Sequence, residues 1–201
     1  DYALYVQCSN ALITLLKEYS PLVERYSVDE CFMDLSGYGI DGDESVDLAM
    51  RIKQRVKEEL GFTVNIGISI NKLLAKMASE FEKPDKVHTL FPEEMPEKMW
   101  PLPVCEMFMV GVRTCLKLYK YGIITIGQLA KTDKELLKVY FKSYGNVLWE
   151  YANGIDYSEV RPDRRDIKGI GNSTTTSFDV TDYETAKLFL LSLSEMVGMR
   201  L

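Results

Sequence analysis

Two adjacent carboxylates, Asp29 and Glu30, stand between two short apolar, β-prone runs in Tyr26-Ser27-Val28-Asp29-Glu30-Cys31-Phe32-Met33-Asp34-Leu35. On a straight strand neighbouring side chains point to opposite faces, so this pair shares a site only where the backbone bends. A hairpin supplies the bend. Carboxylates converging at the end of a sheet suit Mg²⁺, a hard cation that takes oxygen ligands and leaves positions open for substrate phosphates. Acidic pairs also occur at hairpin turns simply because turns are solvated, and the decapeptide alone leaves both readings open.

The second group able to do chemistry is cationic. Asn71 to Glu82 reads as a helix; at about 100° per residue, Lys76 lies about 40° from Lys72, while Leu74, Met77, Ala78 and Phe81 gather on the opposite side. Pro84 keeps Lys83 from continuing the helix, so this third lysine reaches out from its end. Ammonium groups on one edge can meet phosphate as point charges. Any amphipathic helix has a polar face, and it is the carboxylate hairpin that favours the functional reading here.

A third group is made of backbone. Pro101 to Thr114 reads as a short helix, a tight apolar turn and a second helix, a pattern that resembles a helix-hairpin-helix. Such a turn exposes the N–H groups around Val110, Gly111, Val112, Arg113 and Thr114 at a helix N-terminus, an anion site that holds DNA phosphates without reading bases. The usual motif has Gly-hydrophobic-Gly, and Met109 takes the first glycine position. A plain helical bundle fits these residues equally well.

The elements that must position these groups follow from periodicity. Ala3 to Tyr19 carries Leu4, Cys8, Leu12, Leu15 and Leu16 at helical spacing, and Pro21 marks the exit. Beyond the hairpin, Gly37, Gly39 and Gly42 predict a loop and Asp43 an N-cap, with Val46, Ala49, Ile52, Val56 and Leu60 inward and Gly61 at the close. Phe62, Val64, Ile66 and Ile68 alternate with Thr63, Asn65, Gly67 and Ser69 as on a half-buried strand, and Val87, Thr89 and Phe91 predict another. The order is helix, hairpin, helix, strand, helix, strand, which is α+β.

From Pro92 onward short helices replace strands. Gly122 suits a helix end, and Thr125 with Gln128 suits a capping box. Leu136, Leu137, Tyr140, Phe141, Val147, Leu148, Tyr151 and Ala152 form helical stripes interrupted by Ser143-Tyr144-Gly145. Arg161, Asp163, Arg164, Arg165, Asp166 and Lys168 make a polar linker. Gly169 to Ser177 predicts a strand, followed by a helix from about Tyr183 with Ala186, Phe189, Leu190, Leu193 and Val197 inward.

Composition bounds the rest. With 201 residues, 46% of them hydrophobic, the chain can bury a core. No apolar run approaches the roughly 18 residues of a membrane span, and the start has no leader pattern, which makes cytosol the expectation. Cys8, Cys31, Cys105 and Cys115 lack a C-x-x-C spacing and His88 is the one histidine, so neither zinc nor a disulfide framework is expected, and the thiols read as free. The net charge of −6 argues against a simple nucleic-acid binder. That argument weakens for a piece of a longer protein, which the missing initiator Met and the unfinished helical pattern at Leu201 lead one to expect.

The hairpin SVDECFMDL followed by NIGISINKLLAKMASEFEKP resembles the palm motif pair of the Y-family, the translesion DNA polymerases of the DinB and UmuC (ImpB/MucB/SamB-like) kind. The resemblance implies a partial palm with a ferredoxin-like sheet over residues 1–94, a helical thumb with the helix-hairpin-helix over 95–160, and a linker with the start of a little finger over 161–201. It implies nucleotidyl transfer from a dNTP to a primer 3′-OH with two Mg²⁺ ions. Asp29 would ligate both metals, Glu30 the one nearest the primer end, and Lys83, with Lys76 as a second candidate, would hold the triphosphate. Primer-template DNA is the implied partner, with a sliding clamp engaged through regions outside this chain. The family's first catalytic Asp lies on a strand ahead of the fingers, and this chain has neither, so the piece alone is expected to be inactive. Where the family commonly has Gly after Lys-Pro-Asp, Lys86 stands here. Two rivals remain: a nucleotide cyclase on a palm-like sheet, and a non-catalytic DNA-binding scaffold.

Overall fold

The structure, a computed structural model, describes residues 1–39, 42–162 and 169–201. The predicted linker residues Asp163, Arg164, Arg165, Asp166 and Lys168 therefore lie outside the described residues, and only Arg161 of that group is described. The chain divides into two compact units, Asp1–Pro162 and Asp163–Leu201.

Helix α1 (Tyr2–Leu16) is capped by Asp1, whose carboxylate accepts from the Ala3 and Leu4 amides. Only the C-terminal part of its stripe is deeply buried, at Leu15 and Leu16, while Leu4 is exposed. Strands β1 (Val23–Arg25) and β2 (Cys31–Met33) pair antiparallel, Val23 opposite Met33 and Arg25 opposite Cys31, so the carboxylate pair falls in the connecting turn as expected. Helix α2 (Gly42–Arg55) continues as a π-helical turn to Leu60, which Gly61 ends in the left-handed region at φ 77°. Asp43 lies inside the first turn of α2 and is not its cap: the helix begins at least one residue earlier than the cap rule suggests. There its charge favours the helix N-terminus without capping an amide.

Strand β3 (Ile66–Ile68) pairs in parallel with β4 (Val87–Thr89), and helix α3 (Lys72–Glu80) crosses between them. Among the described residues the strands form two separate two-stranded ladders, not the single sheet that the sequence suggested. The strand-like alternation from Phe62 yields only three paired residues, because β3 is paired only where it lies beside β4.

Helices follow: α4 (Met95–Lys98), α5 (Val112–Lys120), α6 (Ile126–Lys131), α7 (Lys134–Phe141) and α8 (Ser143–Ala152). Gly122 follows α5 with φ 75°, and the Thr125–Gln128 capping box opens α6, both as expected. Ser143-Tyr144-Gly145 does not interrupt the helical pattern. The break is at Lys142, and Gly145 sits within α8 where an added Cβ would stand 2.3 Å from the Leu137 carbonyl oxygen, so this glycine lets α7 and α8 touch.

The first unit holds two apolar clusters. One gathers Leu15, Leu16, Val23, Leu48, Ile52 and Val56 beneath α1, β1 and α2. The other joins Leu73, Leu74, Met77 and Ala78 of α3 to Met99, Leu118, Ile126, Leu137 and Leu148 from the later helices. Helix α3 thus belongs to the same core as the helices after it.

The sulfurs of Cys105 and Cys115 meet, against the expectation of four free thiols, and their Cα atoms, 5.1 Å apart, are within disulfide reach. The turn between them folds the chain back on itself, and their ten-residue separation matches no short cysteine motif. Cys8 and Cys31 are free, and burial pushes the Cys31 thiol up to about 11 against the pull of Arg25.

In the second unit the expected strand at Gly169–Ser177 does not form, because no described strand pairs with it. Helix α9 (Tyr183–Gly198) does form, capped by Asp182, whose carboxylate accepts from the Thr185 amide.

Candidate active site

The carboxylate turn is closed by its own backbone. The amides of Tyr26 and Ser27 both donate to the Glu30 carbonyl, at 2.9 and 3.0 Å. Ser27 Oγ donates to Asp29 Oδ1 at 2.6 Å, orienting a carboxylate that otherwise faces solvent. Glu30 is half-buried and meets α3: Lys76 Nζ donates to Glu30 Oε1 at 2.7 Å.

From that contact an ion-pair chain runs along the edge of α3. Lys76 Nζ also binds Glu80 Oε1 at 2.6 Å, and Glu80 Oε2 binds Lys83 Nζ at 2.6 Å. Burial works against the Lys76 ammonium, but the two carboxylates outweigh it and hold its pKa above the ordinary lysine value. Burial likewise raises Glu80, and Lys76 and Lys83 together bring it below the ordinary carboxylate range. Glu30, Lys76, Glu80 and Lys83 are thus joined by one chain of ion pairs, and Asp29 stands next to Glu30 in the turn. Glu80 was missed in the sequence reading, although its spacing four after Lys76 and three before Lys83 is the usual signature of helical ion pairs.

Two residues fall outside this group. Lys72 is drawn away to Glu24 on β1, and Asp34 is turned into its own loop, with Oδ1 accepting from the Ser36 amide and hydroxyl at 2.8 and 2.6 Å. Those two bonds depress the Asp34 pKa.

As a donor set the turn fits a hard cation in part. It offers carboxylate oxygens only, without sulfur or imidazole, and the Asp29 carboxylate is exposed. No third acidic side chain, histidine or cysteine stands with them in a metal-binding group among the described residues. The turn thus offers two carboxylates, fewer than a hard cation's full set of oxygen ligands.

The residues expected to form a backbone anion site lie at the turn before α5. Met109 adopts φ 69°, the left-handed region where the motif's glycine would ordinarily sit, and Tyr144 Oη donates to its carbonyl at 2.6 Å. Gly111 is the N-cap of α5 and brings no side-chain cap, so the amides of Val112, Arg113 and Thr114 are open at the helix start. Val112 is 77% exposed there. The two candidate regions touch through aromatic rings: Tyr26, three residues before Asp29, packs on Phe108 with centroids 6.1 Å apart.

Comparison with known proteins gives a consistent result. Residues 1–80 match the model of the impB/mucB/samB family. The chain is 54% identical over 197 residues to DNA polymerase IV of Clostridium acetobutylicum, covering 98% of this chain and 50% of that protein. It is 40% identical over 202 residues to DNA polymerase IV 1 of Bacillus subtilis, covering 100% and 49%. The chain spans about half the length of the curated relatives it matches. Among solved structures, a chimeric Y-family DNA polymerase superposes over 100% of this chain and 58% of its own with a TM-score of 0.87 at 22% identity. DinB from Sulfolobus solfataricus superposes over 79% of this chain and 47% of its own with a TM-score of 0.70 at 25% identity.

Proposed function

We propose that this chain, whose residues 1–80 match the impB/mucB/samB family model, belongs to that family and is part of a template-directed DNA polymerase of the translesion type, acting in the cytoplasm on primer-template DNA. In this reading residues 1–94 are part of the palm, 95–160 the thumb with its helix-hairpin-helix, and 161–201 the linker and opening of the little finger.

The observation that carries it is the contact between the carboxylate turn and the lysine edge, Glu30 to Lys76 at 2.7 Å. In this reading a carboxylate for a cation would stand beside the helix edge that carries the lysines for a triphosphate. Asp29 and Glu30 would hold two Mg²⁺ ions jointly with a carboxylate from elsewhere in the longer protein. When bound, those ions lower the pKa of the primer hydroxyl and hold the leaving pyrophosphate. Lys83, which is half exposed, would meet the triphosphate as a point charge. Lys76 braces Glu30 and keeps its positive charge well above neutral pH. The amides at Val110, Gly111, Val112, Arg113 and Thr114 would hold a backbone phosphate without selecting sequence.

The test is incorporation of labelled dNTP by the longer protein with Mg²⁺, on primed and unprimed template. Extension that requires both primer and template supports the proposal. Conversion of a nucleoside triphosphate to a cyclic monophosphate without DNA would favour the cyclase, and DNA binding without any nucleotide use would favour the scaffold.

A further inference from the structure

A segment outside the candidate active site is sewn to the start of α3. Residues 154–161 follow α8 and run past the start of α3, where the N-cap Asn71 and the first two α3 residues each take hold of them. Asn71 Nδ2 donates to the Gly154 carbonyl at 2.8 Å, the Leu73 amide donates to Asp156 Oδ2 at 3.1 Å, and Lys72 Nζ donates to the Glu159 carbonyl at 3.1 Å. The last stitch is made from β1: the Arg161 amide donates to Glu24 Oε2 at 2.9 Å. That same carboxylate oxygen accepts from Lys72 Nζ at 2.8 Å.

The Glu24–Lys72 pair is unlike the other ion pairs. Its side chains are 6% and 12% exposed, whereas Lys83 and Glu80, along the same helix, are 52% and 43% exposed. Lys72 also lies over the Phe32 ring, 5.2 Å from its centroid. Burying two opposite charges is close to neutral for stability at best, and apolar residues of similar size often replace such a pair without loss. A buried pair therefore invites the question of what else it holds. Here each partner carries a bond to the passing segment, Lys72 to Glu159 and Glu24 to Arg161.

We propose that Glu24 and Lys72 are positioning residues that pin the segment Glu159–Arg161 to the strand carrying the carboxylate turn. They fix where the chain leaves the first unit. Arg161 is next to the last residue of that unit, so the pin sets the starting point of everything that follows. Because β1 leads into the turn holding Asp29 and Glu30, the exit point and the candidate site share one strand. The inference stands on the pin alone, and holds whether or not the turn carries out nucleotidyl transfer.

The test is site-resolved proteolysis of the 201-residue chain by a glutamyl endopeptidase, comparing cleavage after Glu159 with cleavage after Glu94. Glu94 serves as the reference because its carboxylate is bonded within the core-side turn, to the Phe91 amide at 2.7 Å. In Glu24→Leu/Lys72→Met both stitches are lost together with both members of the pair. Cleavage after Glu159 should rise about tenfold or more, with cleavage after Glu94 and the melting temperature near those of the unaltered protein. Arg161→Pro is the second variant. It removes the donated N–H together with the Arg161 side chain, keeps both Glu24 and Lys72, and should speed cleavage after Glu159 severalfold. If cleavage after Glu159 stays at the original rate in Arg161→Pro, or rises in the double variant only in step with cleavage after Glu94, the pair is a packing feature and the proposal is overturned.

Discussion

Lys76 is held between two carboxylates, and the pH dependence of that arrangement has a definite sign. The Lys76 pKa is raised in the folded state, so its contribution is fully present below the ordinary lysine range and is lost as pH rises through the raised value. The Glu80 pKa is lowered, so its contribution is present above the ordinary carboxylate range and is lost as pH falls through the lowered value. Lys76→Met should therefore cost a constant amount, about 1 kcal/mol for so partly exposed a network, from roughly pH 6 to 9. The deficit should shrink as pH falls below the ordinary carboxylate range and through the lowered Glu80 value. Thermal denaturation of both proteins from neutral pH down through that range checks it; a deficit unchanged at its acid end would mean that Lys76 acts by packing alone. At this scale the candidate residues were legible. Asp29, Glu30, Lys76 and Lys83 could be singled out because type and spacing carry the signal. The pairing of Lys72 with Glu24 could not, since it joins residues 48 apart that only the fold brings together.

Among the elements, α3 shows where periodicity stops being informative. Its apolar face was readable from Leu74, Met77 and Ala78, but its seat on β3 is set by Gly67, which the alternation pattern counted only as a polar-face residue. A Cβ at Gly67 would lie 1.8 Å from the Ala75 carbonyl oxygen and 2.6 Å from the Ser79 amide nitrogen. Gly67→Ala must push the helix off the strand and should cost about 3 kcal/mol, measured by denaturant unfolding. A loss below about 0.5 kcal/mol would mean that the helix is not seated there. The turn before α5 was similarly half legible. The residue types suggested a helix, turn and helix, while the left-handed Met109 and the meeting of Cys105 with Cys115 depend on how the chain folds back. After mild oxidation, alkylation and mass spectrometry should find Cys105 and Cys115 blocked as a linked pair, and Cys8 and Cys31 still alkylated. Four alkylated cysteines would contradict the pairing.

Over the whole chain the α+β order was readable, and the ladders were not. Strands of three residues give too short a pattern to reveal which edges pair, and the segment Gly169–Ser177 has strand-forming residues but no described partner. The net charge of −6 remains at odds with strong attraction to phosphate, and in our reading DNA grip comes largely from parts of the longer protein outside these 201 residues. The chain by itself should then neither extend a primer nor hold primer-template DNA beyond modest salt, since the turn brings only two carboxylates to its site. Nitrocellulose filter binding at increasing salt and primer extension with the isolated chain check both statements; robust extension would mean that some carboxylate within it completes the site.

The central claim is that the turn at Asp29 is where nucleotidyl transfer is carried out. Its most direct test is single-turnover primer extension by the longer protein carrying Asp29→Asn, with Mg²⁺ and saturating dNTP, alongside its melting temperature and its affinity for primer-template DNA. The substitution removes a charge from an exposed turn and touches no apolar cluster, so folding and DNA affinity should stay within experimental error of the unaltered protein. The rate should fall by about 100-fold or more. A variant that extends primers at the original rate would show that the chemistry lies elsewhere and that this turn is only a solvated loop.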